Sequence, residues 1–204
     1  SLFCRSSFVS ARKIVVIGVF SAIAAILMVL EFPVPFAPSF YGLDFSELPA
    51  LIGAFAYGPV AGVMIEFCKI LIKLVLKPSS TAFVGELANF SISCMLVLPA
   101  SVIYLFKKSR KQAILGTVVG TLIMTAFGSC FNAIYLLPKF SELYGIPLDA
   151  IIGMGTAINP AIHSISGLVL MCVVPLNLLK GGLVSLITIL VYKKLSPILK
   201  AAHK

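Results

Sequence analysis

Four stretches of this chain are too apolar, and too long, to sit comfortably in water. Residues 14–30, 81–106, 112–137 and 175–192 carry no charge except Glu86 and Lys180. A helix needs about 20 such residues to cross a hydrocarbon core about 30 Å thick. A membrane β-barrel would show apolar and polar residues in alternation, whereas these runs are apolar on every face. In lipid the backbone polar groups must be satisfied internally, which leaves the helix. Only 11% of residues are charged and the mean hydropathy is +1.11, against roughly a quarter charged in soluble domains. The chain is expected to be an all-α integral membrane protein.

The formal net charge of +9 could suggest nucleic acid, but its placement argues against that. Arg5, Arg12 and Lys13 precede the first run, Lys107, Lys108, Arg110 and Lys111 share one short hinge, and Lys193, Lys194, Lys200 and Lys204 follow the last. Other connections hold Glu31, Asp44, Glu47, Glu142 and Asp149 against Lys77 and Lys139. Basic residues collect in short cytoplasmic segments, so the pattern places both termini and the hinge in the cytoplasm and requires an even number of spans. The basic balance thus reports orientation at the cell membrane rather than a nucleic-acid partner.

Proline and glycine punctuate the helices. The pattern predicts helices over 12–31, 48–57, 60–76, 82–106, 111–137 (ending at Pro138) and 175–195, since proline interrupts a helix. A large outer loop, FPVPFAPSFYGLDFSE, follows the first of them. Residues 139–174 contain an apolar run, 166–174, too short to span, and are expected to form a partly structured re-entrant or surface segment. The runner-up, a seventh span, would spoil the charge asymmetry. The organisation is then one membrane domain, 1–204: an N-terminal cytoplasmic tail at 1–11, a six-helix bundle at 12–195 and a C-terminal cytoplasmic tail at 196–204. The first span lacks a small-residue cleavage site and is read as retained rather than as a signal peptide.

Polar groups inside the apolar runs carry the functional signal. An intramembrane charge costs at least ~2.5 kcal/mol and normally faces a cavity or a partner. Glu66, Lys69 and Lys73 fall on one face of the third helix. Glu86 and Asn89, in GELANF, share a face of the fourth. Asn132 lies near the outer end of the fifth, and Asn177 and Lys180, in PLNLLKGG, near the outer start of the sixth. Ion pairing between helices would account for Glu66, Lys73 and Glu86. Three polar groups at one depth, Asn132, Asn177 and Lys180, suit a ligand better. Above them the loop gathers Phe36, Phe40, Tyr41, Leu43 and Phe45 around Asp44, apolar planes for a flat guest or an interfacial aromatic belt. On the first helix Gly18 and Ala22, and Ser21 and Ala25, have small-xxx-small spacing, which allows close helix approach.

Other chemistry finds no support. The five cysteines (Cys4, Cys68, Cys94, Cys130, Cys172) form no Cys-x-x-Cys pair and only His163 and His203 accompany them, so no metal or cofactor is expected. No GxxxxGK[ST] phosphate loop, GxSxG or HExxH string occurs, so the chain has no ATPase of its own and is not expected to be an enzyme.

Several strings together resemble one family, the substrate-binding S components of energy-coupling factor (ECF) vitamin transporters, specifically those for riboflavin. They are SAIAAIL at 21–27, FPVPFAPSFYGLDFSELPALIGAFAYGPVAGV at 32–63, GELANF at 85–90, FNAIYLLPKF at 131–140 and PLNLLKGGLVSLITILVYKKL at 175–195. The resemblance implies six helices, capture of one vitamin near the outer surface, and delivery through a membrane coupling protein and two ATP-binding cassette ATPases. It implies that the flavin ring lies near Tyr41 and Leu43, that Asn132, Asn177 and Lys180 hydrogen-bond it, and that Gly18, Ser21, Ala22 and Ala25 form the docking face. With Asp44, Glu86 and Asn89 these complete the expected substrate-binding set. Riboflavin would be cargo rather than cofactor, and acceptance of FMN is left open. Alternatives are an S component for thiamine, biotin or folate, and a stand-alone ion-coupled carrier using the Glu66–Lys73 face.

Overall fold

The computed structural model describes residues 11–201, with side chains as far as Pro197; Cys4, Arg5, His203 and Lys204 lie outside. Helix α1 spans Ala11–Val29, α2 Glu47–Tyr57, α3 Pro59–Leu76 and α4 Val84–Phe106. A continuous α5 covers Arg110–Tyr144, followed by α6, Leu148–Ile158. The last helix, α7, starts at Ile165 and runs to Ala201. Within the outer loop, strands β1 (Phe32–Pro33) and β2 (Gly42–Leu43) pair antiparallel, a small ladder not expected from the sequence. Helices α1, α4, α5 and α7 are long and apolar enough to cross a membrane. With eleven residues, α2 reaches only about 16 Å at about 1.5 Å per residue, and α3 carries three charges.

Local chemistry sets these boundaries. Gly58, with φ of +99°, turns the chain between α2 and α3, and Pro59 opens α3 at a position where its missing N–H is not needed. The Ser109 hydroxyl caps α5 by accepting from the Gln112 N–H, and Ser164 caps α7 by accepting from Gly167.

Two proline boundaries fall differently from expectation. Helix α5 does not stop at Leu137, and the run 166–174 is no separate surface segment but the first part of α7. In both, one turn just before the proline widens to π-helix. The Leu137 N–H donates to the Asn132 carbonyl, and the Val174 N–H to that of Val169. A proline ring clashes with the carbonyl four residues back in a regular helix. Widening the turn lets Pro138 and Pro175 pass without ending the helix. Of the expected re-entrant segment, only residues around α6 remain outside the long helices. The last helix also extends past the expected Leu195.

The short α2 is the bundle's centre. It packs on α1, α3, α4 and α7, and Ala50, Leu51, Ala54 and Phe55 are wholly buried. Phe55 stacks on Tyr104 at 4.6 Å between ring centroids, and the Tyr104 and Tyr192 hydroxyls meet at 3.0 Å. Facing lipid removes the hydrophobic drive between helices, so close backbone approach through small residues has to hold them. Helices α4 and α5 approach through Gly116 and Gly120: a Cβ there would lie 2.5 Å from the Ala100 carbonyl oxygen and 2.6 Å from that of Leu96. Large apolar side chains such as Ile23, Phe67, Leu122 and Leu190 point outward.

Adding a methyl where backbone cannot yield should be costly. Gly116→Ala is expected to destabilise the purified protein in detergent by about 1–3 kcal/mol. Gly153→Ala in α6, where a Cβ meets nothing within 4 Å, should leave the melting temperature unchanged. Equal thermal unfolding of the two variants would refute this account of the α4–α5 contact.

A polar cavity beneath the outer loop

The outer loop is a lid built from its own apolar residues. Pairing of Phe32 with Leu43 and Pro33 with Gly42 closes its base, and the Tyr41 N–H donates to the Pro38 carbonyl at 3.0 Å. Val34, Ala37, Tyr41 and Leu43 are buried against Leu136, Leu137 and Phe140 of α5 and Val173 and Leu176 of α7. Phe40 packs on Tyr41 and meets Phe140 edge-on at 6.0 Å. At its end the loop is anchored by charge: Asp44 Oδ1 accepts from the Ser46 N–H at 2.8 Å, and Lys180 Nζ lies 3.2 Å from Asp44 Oδ2 and 2.8 Å from Glu47 Oε1. Burial would raise the Asp44 carboxyl, but Lys180, Lys69 and the Ser46 hydrogen bonds outweigh it and hold it below the ordinary carboxylate range.

Under this lid lies a cavity of about 720 Å³ including its open mouth. Phe40, Tyr41 and Gly42 roof it; Ala88, Asn89 and Ile92 of α4, Asn132, Leu136 and Phe140 of α5, and Val173, Leu176, Asn177 and Lys180 of α7 form its walls. Mostly apolar walls with a few convergent polar groups are the usual make-up of a small-molecule site. The two widened turns meet here, and Asn132, Leu136 and Val173 belong to both turns and walls. Such turns often mark functional sites.

The amides differ in how fully they are engaged. Asn132 Nδ2 donates to the Gly128 carbonyl at 2.7 Å and its Oδ1 accepts from the Tyr41 hydroxyl at 2.8 Å. Burial pushes the Tyr41 hydroxyl up, so it stays a donor. Gly128 also makes room for Asn177, whose Nδ2 would lie 2.7 Å from any added Cβ. The Asn177 amide faces the cavity with no hydrogen-bond partner among the described residues. Asn89 Oδ1 is only 3.5 Å from the Ser93 hydroxyl, which donates to Glu47 Oε1 at 2.5 Å.

Of the expected binding residues, Tyr41, Asn89, Asn132, Asn177 and Lys180 thus converge on one cavity. Leu43 and Asp44 do not line it: the first is packed into the lid and the second sits behind Lys180. Glu86 faces an adjoining vestibule of about 990 Å³, with Glu31, Lys73, Lys77 and Thr81. There it pairs with Lys73 at 2.6 Å and accepts from Ser79 at 2.8 Å, the helix-to-helix ion pair weighed above. Ser79 Oγ also accepts from the Thr81 and Phe83 N–H groups, holding Ala82 and Phe83 at positive φ. Sequence reasoning passed over Glu47, Ser93 and Gly128. The DFSE string displayed Glu47, but a loop position gave no sign that it would be buried.

The four small residues of α1 do not share one face toward the surroundings. Ser21 and Ala25 are wholly buried, and Ser21 Oγ donates to the Ile17 carbonyl at 2.6 Å. Gly18 is exposed and Ala22 half-buried, flanked by exposed Ile14, Val19, Ile23 and Ile26.

Comparison with known proteins agrees with this architecture. Residues 12–192 match the family model described as ECF transporter, substrate-specific component. Riboflavin transporter RibU of Staphylococcus aureus (strain TCH60) is 33% identical, covering 93% of both chains. Riboflavin transporter FmnP of Bacillus subtilis (strain 168) is 32% identical over 91% of this chain and 93% of its own. A solved structure described as the S component of a bacterial ECF transporter superposes with a TM-score of 0.71 at 35% identity, covering 93% of this chain and 98% of that one. A polar pocket under a pinned loop, in a helical bundle matched along nearly its whole length, identifies the chain as a member of the substrate-specific components of ECF transporters.

Proposed function

We propose that this subunit captures riboflavin in the cavity beneath the outer loop and passes it inward only when docked to partners. The observation that carries this is the Asn177 amide, buried to 7% exposure and aimed into the cavity without a partner. An amide open to the cavity and unengaged by the protein is placed to bond a guest with ring carbonyls and nitrogens, and leaving such a guest's buried polar atom unpaired costs about 1–3 kcal/mol. Asn89 offers a second weakly engaged amide. Phe40, Ile92, Leu136 and Leu176 supply apolar planes for a flat ring system, and the vestibule beside Asn89 gives a polar tail a way toward water. The relatives named as riboflavin transporters support this choice of vitamin.

Asn132 then acts through its fixed orientation. With one amide hydrogen and one lone pair spent on Gly128 and Tyr41, it still has a hydrogen and a lone pair for a ligand. Lys180, held by two carboxylates, positions the lid and presents part of its ammonium to the wall. In this reading α2 and α3 complete a six-helix count, the basic segments place both termini in the cytoplasm, and the cavity opens outward. The chain is a binding and transport subunit rather than a catalyst. Its energising partners are a membrane coupling protein and two ATPases, met through the outward part of α1 around Gly18 and Ala22.

The protein purified in detergent is expected to be yellow, with a flavin absorbance released on denaturation; a colourless protein that fails to take up riboflavin in an absorbance titration would end the proposal. Asn177→Ala should weaken riboflavin binding by about 1–3 kcal/mol, roughly five- to 150-fold in Kd, without lowering the melting temperature of the ligand-free protein.

Asp44→Asn should act differently, because Asp44 only positions the lid. Its carboxylate is stabilised by folding, so its contribution is present above the ordinary carboxylate range, about 3.9, and is lost as pH falls through its lower folded value. Binding by the unaltered protein should therefore hold from neutral pH down to that range, while Asp44→Asn should bind about tenfold more weakly, about 1.4 kcal/mol, even at neutral pH. Titration by flavin fluorescence quenching at several pH values checks both.

A further inference from the structure

Behind the cavity wall lies a cluster of charges that does not balance. Asp44 from the loop, Glu47 from α2 and Glu66 from α3 are all buried, and the ammonium groups among them are Lys69 of α3 and Lys180 of α7. Three carboxylates face two cations. The polar neighbours that complete the cluster are Ser46, which accepts from Lys69 Nζ at 3.0 Å, and Ser93 of α4. Cys94 of α4 lies within electrostatic reach of Glu66. The nearest further lysine on the same helix, Lys73, is taken by Glu86. Glu31, just beyond α1, acts on Asp44 and Lys180 but opens onto the vestibule, and α1 itself brings the buried hydroxyl of Ser21.

The acids are not equally provided for. Both oxygens of Asp44 are held, by the Ser46 N–H and by Lys180. Glu47 Oε1 takes Lys180 and the Ser93 hydroxyl. Glu66 meets only Lys69 through Oε2. Both oxygens of Glu66, Oε2 despite its ion pair with Lys69, and Glu47 Oε2 are buried with no hydrogen-bond partner among the described residues, and the Glu47 carboxylate acts on Glu66 electrostatically. An uncompensated charge in the interior is among the most costly arrangements a protein can hold. A bound cation removes that charge, and a proton is the one that needs no extra room. We propose that the cluster is a binding site for one proton, carried at neutral pH on Glu66 Oε1, which makes the five side chains electrically neutral. The binding step is simple protonation of a carboxylate, with no other bond made or broken. The site adjoins the cavity through Lys180 and Ser93 and does not depend on which vitamin is carried.

Infrared spectroscopy of the full chain in detergent near neutral pH tests this. The carbonyl stretch of an un-ionised carboxylic acid, shifted on exchange into heavy water, is expected in the unaltered protein and lost in Glu66→Gln. Glutamine has the shape and charge of the protonated acid, so that variant should keep the melting temperature. Glu47→Gln is expected to lose the band as well, because two carboxylates then face two ammonium groups and Glu66 ionises; a purely structural role for Glu47 would leave the band in place. Absence of the band in the unaltered protein, its persistence in either variant, or a large fall in melting temperature for Glu66→Gln would overturn the proposal. Melting should also be the same in sodium chloride and choline chloride; stabilisation specific to sodium would show a metal ion in place of the proton and overturn it too.

Discussion

Lys180 ties together three parts of the molecule that no apolar contact could align. Its ammonium reaches Asp44 at the end of the lid and Glu47 at the start of α2, from the wall of the cavity on α7. A buried ion pair gains little net stability against an apolar replacement, but losing one partner strands the other. Such an arrangement fixes register rather than strength. Here it fixes where the lid ends, how α2 enters the bundle, and how Asn177, one turn before Lys180, is turned toward the cavity.

The remaining architecture follows from that placement. Because α2 begins at the ion cluster and is only eleven residues long, it can be enclosed by α1, α3, α4 and α7. Its alanines and Gly53 let these neighbours approach, and Phe55 closes the lower end against Tyr104. The bundle is thus solid below and hollow above. Apolar packing holds the half nearer Tyr104 and Tyr192, while hydrogen bonds and charges organise the half under the loop. Rigid support below and directed polar groups above suit a subunit that must hold one guest in one orientation.

Much of this was legible in the chain itself. Lipid leaves the helix as the local solution, so runs such as 14–30 and 81–106 declare it without help from propensity. Asn132, Asn177 and Lys180 stood out because polar groups in apolar runs are expensive, and Asn89 with them. What could not be read was pairing across the fold. Glu86 carried the same signal as Asn89, yet the two face adjoining hollows, because the choice rests on Lys73 and Ser79 arriving from another segment. Small residues on α1 could not be sorted into inward and outward, since Ser21 and Ala25 differ from Gly18 and Ala22 only by rotation about the helix. The prolines misled for a local reason. Pro138 and Pro175 look like terminators, and a single wider turn ahead of each cancels that effect.

Those wider turns tie the pocket to chain length as well as to residue type. Each accommodates one residue more than a regular turn would. Removing a residue between 132 and 136 would let α5 recover ordinary geometry, with every side chain beyond it swung by about 100° about the axis. Leu136 and Phe140 would then leave the hollow while Asn132 stayed. Diversity among relatives at these two places should therefore come as exchange of side chains, not as gain or loss of a residue, so that counting residues between Gly128 and Phe140 is itself a measure of whether the pocket survives.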